Sequence, residues 1–145
     1  TNPIPNGKSV AILGGGAIGC ELALKFAETG CPVALIEQGS ELHRGENLLV
    51  GLALDEHLKR CENLKILRET CCLKVNSEHI VVEKTGVLMT IPADVLIICT
   101  GIEPLSEEAD RFYGITCHTW KIGDVKRPGN IKAATLDGWM AGSQD

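Results

Sequence analysis

The segment Gly14-Gly15-Gly16-Ala17-Ile18-Gly19 constrains this chain more than any other, because it ends one kind of periodicity and opens another. Before it, Lys8-Ser-Val-Ala-Ile-Leu13 is a continuous apolar run, the pattern of a central parallel strand covered on both faces. After it, Ile18, Leu22, Phe26 and Ala27 recur at helical spacing between Ala17 and Thr29, with Glu21, Lys25 and Glu28 off the stripe and Gly30 as the stop. A strand that turns through glycines into a helix collects free backbone N–H groups and the positive end of the helix dipole at one point. An anion belongs there. Within G-x-G-x-x-G, Gly14 permits the tight turn and Gly16 lets a pyrophosphate approach the backbone where a side chain would collide. Gly19 lets helix and strand pack closely. Gly15 lies between them, and the N–H groups around Ala17 and Ile18 face the phosphates.

A second strand, Pro32-Val-Ala-Leu-Ile-Glu37, completes a β-α-β unit. Glu37 stands 18 residues after Gly19, close to the offset of about 20 at which an acid accepts hydrogen bonds from an adenosine ribose. A carboxylate there repels a 2′-phosphate, and Gln38-Gly39-Ser40 supplies no cation to receive one, which favours NADH over NADPH. Arg44 lies near enough in sequence to complicate that preference.

The remaining pattern is α/β. Glu46–Cys61 reads as a helix with Leu54 and Leu58 on one face, and Leu64–Leu67 as a strand. The period then changes to two: Cys71–Val75, His79–Lys84 and Val87–Ile91 are separated by Asn76-Ser77 and Thr85-Gly86, the chemistry of hairpin turns. Ala93–Gly101 is again an all-apolar, buried strand. The expected fold is a Rossmann-like parallel sheet with helices on both faces and a three-stranded antiparallel meander as a crossover. Residues 1–7 read as a linker, 8–104 as the NAD(H)-binding domain and 105–145 as an appended segment. That segment has a polar stretch at Ser106–Arg111, a strand-like Thr119–Ile122, a Gly123-Asp124 turn and a helix from about Ile131.

Composition removes other classes. A net charge of −5 argues against nucleic acid as a partner. No apolar run is long enough to span a membrane and Thr1–Ser9 lacks the core of a signal peptide, so a cytoplasmic location is expected. Seven cysteines with no C-x-x-C pair disfavour a disulfide framework and a structural zinc, and no metal site is expected. Cys71 and Cys72 point to opposite faces if they sit on a strand, which weighs against a dithiol. His43, His57, His79 and His118 show no partner pattern and read as surface or structural residues.

Gly14-Gly-Gly-Ala-Ile-Gly-Cys-Glu-Leu-Ala23 resembles the NAD(P) fingerprint of the pyridine-nucleotide-disulfide oxidoreductase superfamily, with an isoleucine before the third glycine and a glutamate two residues after it. Thr100-Gly101 resembles the threonine-glycine that follows a strand in that superfamily. The segment Ile122-Gly-Asp-Val-Lys-Arg-Pro-Gly-Asn-Ile-Lys-Ala-Ala-Thr-Leu-Asp-Gly138 resembles the second flavin motif of one branch, that of 2-enoate reductase, 2,4-dienoyl-CoA reductase and related NADH:flavin oxidoreductases of old-yellow-enzyme type. The resemblance implies that Glu21 contacts the nicotinamide end, that Thr100 and Gly101 border the cofactor, and that Asp124 reaches the ribityl chain of FAD. It also implies that FAD-binding and FMN-barrel domains accompany this chain as partners, since only one glycine fingerprint is present. The chain is then expected to be a fragment that binds NADH but does not turn over alone.

Hydride transfer between nicotinamide and flavin needs stacking and distance, not a protein acid or base, so no catalytic residue is expected. Two alternatives stay open: a non-catalytic NADH-sensing or regulatory module, and a methyltransferase, against which Gly19 and the meander weigh. Exposed apolar surface on the appended segment leaves a homodimer open.

Overall fold

A computed structural model describes residues 7–143, so the linker expected over residues 1–7 lies outside the described residues except for Gly7. The chain divides into two compact units, Thr1–Gly101 and Ile102–Asp145.

In the first unit the order is β1 (Val10–Leu13), α1 (Ala17–Glu28), β2 (Val33–Ile36), α2 (Leu48–Arg60), β3 (Leu64–Leu67), β4 (Thr70–Val75), β5 (His79–Lys84), β6 (Val87–Pro92) and β7 (Val95–Ile98). The strands β3-β2-β1-β7 form a parallel sheet in that order, and β4-β5-β6 form the antiparallel meander. Leu13 pairs with Ile36 and Ile98, and Ile36 with Leu67, so the carboxyl ends of the four strands lie level.

Side-chain alternation divides the apolar strands between two cores. Val10, Ile12, Val33 and Leu35 pack with Cys20, Ala23 and Ala27 of α1 and Leu58 of α2. Ala11, Ala34, Ile36 and Leu67 pack instead with Ile80, Val82 and Ile91 of the meander. The parallel sheet and the meander crossover match the sequence reading, with one difference. Helices were expected on both faces, whereas in this unit α1 and α2 share one face and the meander covers the other. The link from β3 to β7 must cross from one edge of the sheet to the other. A half-apolar antiparallel sheet covers that face as a helix would.

A second difference concerns the strand expected over Ala93–Gly101. Among the described residues β7 is an edge strand that pairs only with β1; Val95–Ile97 are half-buried and Ile98 is 67% exposed. An all-apolar run does not distinguish an edge from a centre, because position in the sheet is set by distant pairing. The ends of β1 and β7 are clipped together by Asp94, which accepts from the Ser9 N–H (2.8 Å), the Ser9 hydroxyl (2.8 Å) and Lys8 Nζ (3.1 Å). These donors, the Ser9 backbone first, lower its carboxyl to about 2. The β5–β6 hairpin turns through Thr85 (φ 50°) and Gly86 (φ 80°), the paired positive angles of a type I′ turn.

The second unit holds α3 (Ser106–Asp110), a 3₁₀ turn (Gly123–Val125) and α4 (Ile131–Gly142), the last as expected. Asn130 caps α4 by accepting from the Ala133 N–H at 3.0 Å. Asp137 accepts from the Gly123 N–H and from Lys126 Nζ, tying α4 to the 3₁₀ turn, and Lys126 holds its carboxyl below the usual range. The strand expected at Thr119–Ile122 does not form. Ile122 is extended, but among the described residues that segment has no ladder partner, and extension without pairing is not a strand.

Candidate functional site

The geometry of the glycine turn follows from what a Cβ would meet there. Gly14 has φ +100°, and a Cβ would lie 2.3 Å from the Cys99 carbonyl oxygen. At Gly19 a Cβ would lie 1.9 Å from the Gly14 carbonyl oxygen, so α1 seats directly on the turn. At Gly15 it would meet the buried Leu42 side chain at 2.5 Å. Gly16 differs: no atom lies within 4 Å of its Cβ position, so its missing side chain serves open space rather than packing. It is also the N-cap of α1, with no side-chain cap and no acid in the first turn. The leading N–H groups of the helix therefore keep their capacity for an anion.

Beside this turn the Glu37 carboxylate accepts from the Gly15 N–H through Oε2 and from the Gly39 N–H through Oε1, both at 2.6 Å. It holds the loop after β2 against the loop after β1. A carboxylate offers about four acceptor positions, so each oxygen retains one for a ligand hydroxyl. Behind the turn, the Cys20 thiol donates to the Gly15 carbonyl at 3.3 Å. Burial pushes that thiol up to about 11, which makes it packing and not a nucleophile.

These groups open onto a cleft of about 750 Å³ at the carboxyl ends of β1, β2 and β7. That volume lies within the range of about 300–1,000 Å³ usual for ligand sites. Of the residues expected at a cofactor, the cleft brings together Gly14, Gly15, Gly16, Glu37, Thr100 and Gly101. Gly19 is buried beneath it, while Ala17 and Ile18 start the helix at its edge without lining it. Glu21 is exposed on α1 and does not line the cleft, and Asp124 lies in the second unit. There Asp124 is exposed and accepts from the Gly129 N–H at 3.2 Å, while Gly123 has φ +60°.

The cleft also recruits residues beyond those expected at the cofactor, among which Gln38–Ser40 and Arg44 are weighed in sequence only for a 2′-phosphate. Gln38–Glu41 and Arg44 come from the loop after β2, Thr70, Cys71 and Cys72 from the start of β4, and Cys99 from the end of β7. The β4 residues reach the cleft because the meander folds back under the sheet, a long-range event. The histidines take structural positions where partners exist: His43 Nε2 lies 3.2 Å from Asp55, and His79 Nε2 lies 2.8 Å from Asn76 Nδ2. Among the described residues no group of three or more His, Cys, Asp or Glu could hold a metal ion, and no helix is long and apolar enough to cross a membrane.

A parallel sheet, a glycine turn into α1 and an acid at the end of β2 define a Rossmann-like α/β domain of the kind found in oxidoreductases. The chain belongs to the pyridine nucleotide-disulphide oxidoreductase family, whose pattern matches residues 2–135. It is 24% identical over 139 residues to bilirubin reductase of Mediterraneibacter gnavus, covering 95% of this chain and 21% of that protein. It is 35% identical over 103 residues to an NAD(P)H coenzyme A polysulfide/persulfide reductase of Pyrococcus horikoshii, covering 70% of this chain and 23% of the relative. Its fold is similar to that of 2-naphthoyl-CoA reductase, with a TM-score of 0.83 at 22% identity over 98% of this chain and 22% of that one. The chain thus spans about a fifth of the length of these relatives.

Proposed function

We propose that this chain is the NADH-binding part of a flavin-dependent oxidoreductase and positions NADH for hydride transfer to FAD. The observation that carries this reading is the contrast within the glycine turn. Gly14, Gly15 and Gly19 are required by packing, whereas Gly16 leaves uncrowded space at an uncapped helix N-terminus. A pyrophosphate at Gly16 would receive the N–H groups of α1, and an adenosine ribose would lie against Glu37. When bound, NADH supplies the hydride. The residues here bind and orient the dinucleotide, and Thr100 and Gly101 border the cleft at its β7 side.

For the finer branch, the support is the resemblance of the segment Ile122–Gly138 to a flavin motif. Asp124, exposed at the 3₁₀ turn, is the residue we assign to FAD, which further parts of a longer protein would complete. The domain ranges 8–104 and 105–145 belong to the same proposal. Glu37 favours NADH. Arg44 lines the same cleft, makes no ion pair among the described residues, and is the group that would receive a 2′-phosphate.

The test is thermal unfolding of the chain with NADH, NADPH, FAD or S-adenosylmethionine. A ligand at a hundred times its dissociation constant stabilises by about 2.7 kcal/mol. A shift with NADH that disappears in Glu37→Ala and in Gly16→Val is the expected result. A shift with S-adenosylmethionine alone, or with no ligand, would remove the reading.

A further inference from the structure

The loop between β2 and α2 contains a residue in an unfavourable conformation. His43 has φ +41°, in the left-handed region that residues other than glycine seldom occupy. Its backbone N–H donates to the Gly15 carbonyl at 2.6 Å, and its own carbonyl accepts from the Glu46 N–H at 3.0 Å. The ring is held from two sides. Nε2 lies 3.2 Å from Asp55 Oδ1 on α2, and the ring crowds Gly51, where a Cβ would come within 2.7 Å of Cε1 and Nδ1. Asp55 is itself faced by Arg68 Nη2 at 3.9 Å.

The two peptide groups that flank Gly15 are therefore both held, the Gly14–Gly15 peptide through its N–H by Glu37 and the Gly15–Gly16 peptide through its carbonyl by the His43 N–H and the Cys20 thiol. The preceding residue, Leu42, is 3% exposed and fills the space beside Gly15, while the following one, Arg44, lines the cleft. The left-handed turn aims one N–H at the glycine loop while directing the next side chain toward the cleft. Strain of this kind persists where surrounding contacts over-determine it, as Asp55 and Gly51 do here.

We infer that His43 is a positioning residue for the dinucleotide. Locked by Asp55 and Gly51, it orients the Gly15–Gly16 peptide so that the uncapped N–H groups of α1 meet the pyrophosphate. This rests on the nucleotide-binding reading above and adds to it a path from α2 to the glycine loop. The role lies in the backbone of residue 43, so a side chain that tolerates the left-handed region should preserve it and a β-branched one should not.

NADH titrations followed by nicotinamide fluorescence, with amide NMR of Gly15 and Gly16, test it on wild type, His43→Asn, His43→Val and Asp55→Ala. His43→Val is expected to raise Kd by about tenfold or more and to shift both glycine amides. His43→Asn should return Kd to within about threefold of wild type and restore the amides. If His43→Val does not fold, Asp55→Ala carries the test, with a smaller rise in Kd and the same amide shifts. Wild-type Kd and amide positions in a folded His43→Val, or equal loss in the valine and asparagine variants, would overturn the inference. So would unchanged binding in Asp55→Ala. Absence of NADH binding by wild type would instead remove the nucleotide reading on which it rests.

Discussion

The two units bury their apolar residues very differently. In Thr1–Gly101 the sheet has a packed core on each face, and Ile12, Leu35, Leu58, Ile80 and Val82 are almost wholly removed from water. In Ile102–Asp145 none of α3, the 3₁₀ turn or α4 contains a buried residue, and Trp139 is 70% and Ile131 87% exposed. A sheet supplies two long-range apolar faces from a short stretch of chain. Two helices and a turn with Phe112, Trp120 and Trp139 outside supply none. The second unit has the Asn130 helix cap and the Asp137 clip, that is, local order without a core among the described residues. The candidate site thus stands on the unit whose apolar faces are packed.

The sharpest way to break that contrast is at its glycines. Gly19→Ala forces a Cβ to 1.9 Å from the Gly14 carbonyl, so urea unfolding of the first unit should show a loss of about 3 kcal/mol or more. A loss below about 1 kcal/mol would mean that α1 is not seated on the turn. Next, hydrogen exchange should separate the units, with α4 amides exchanging at least about a hundredfold faster than those of β1 and β2. Equal protection would show that the second unit has a core of its own. A smaller effect is expected for Gly138→Ala in α4. There a Cβ meets only Ile122 Cδ1 at 4.0 Å, so the change should raise helicity by up to about 1 kcal/mol where Gly19→Ala destroys stability.

The smallest effect concerns acid. Asp94 in the first unit has its carboxyl lowered from 3.8 to about 2, and Asp137 in the second is lowered too. For a depressed carboxyl the stabilisation is full above the ordinary value and is lost as pH falls toward the folded one. The first unit should thus lose the Asp94 contribution between about pH 4 and pH 2, and Asp94→Asn should flatten that part of its stability profile. Asp137→Asn should do the same for the order of α4 and leave the first unit unchanged.

Much of the first unit is legible in sequence because its signals are local. The apolar runs, the glycine turn, the period-two meander and the Thr85-Gly86 hairpin each depend on neighbours in the chain, and each stands where it was expected. Gly14, Gly15, Gly16, Glu37, Thr100 and Gly101 converge for the same reason, since strands of a parallel sheet end level. What was not legible depends on long-range pairing. The edge position of β7, the meander's place over one face, and the arrival of Thr70–Cys72 in the cleft are decided by which segments meet. Thr119–Ile122 has strand composition and no strand beside it, so it stays unpaired. The left-handed His43 was not legible because a positive φ away from glycine is decided by the contacts around it, here with Gly15, Asp55 and Gly51, although histidine is one of the residue types enriched in that region.

Alkylation with iodoacetamide, read by mass spectrometry with and without NADH, tests most directly whether the dinucleotide occupies the cleft. Cys71 and Cys117 are both exposed, but Cys71 lines the cleft and Cys117 belongs to the second unit. NADH should slow alkylation of Cys71 and leave Cys117 unaffected, with the protection gone in Gly16→Val. Cys71 reacting at the same rate with saturating NADH would contradict a nucleotide held between the glycine turn and β4.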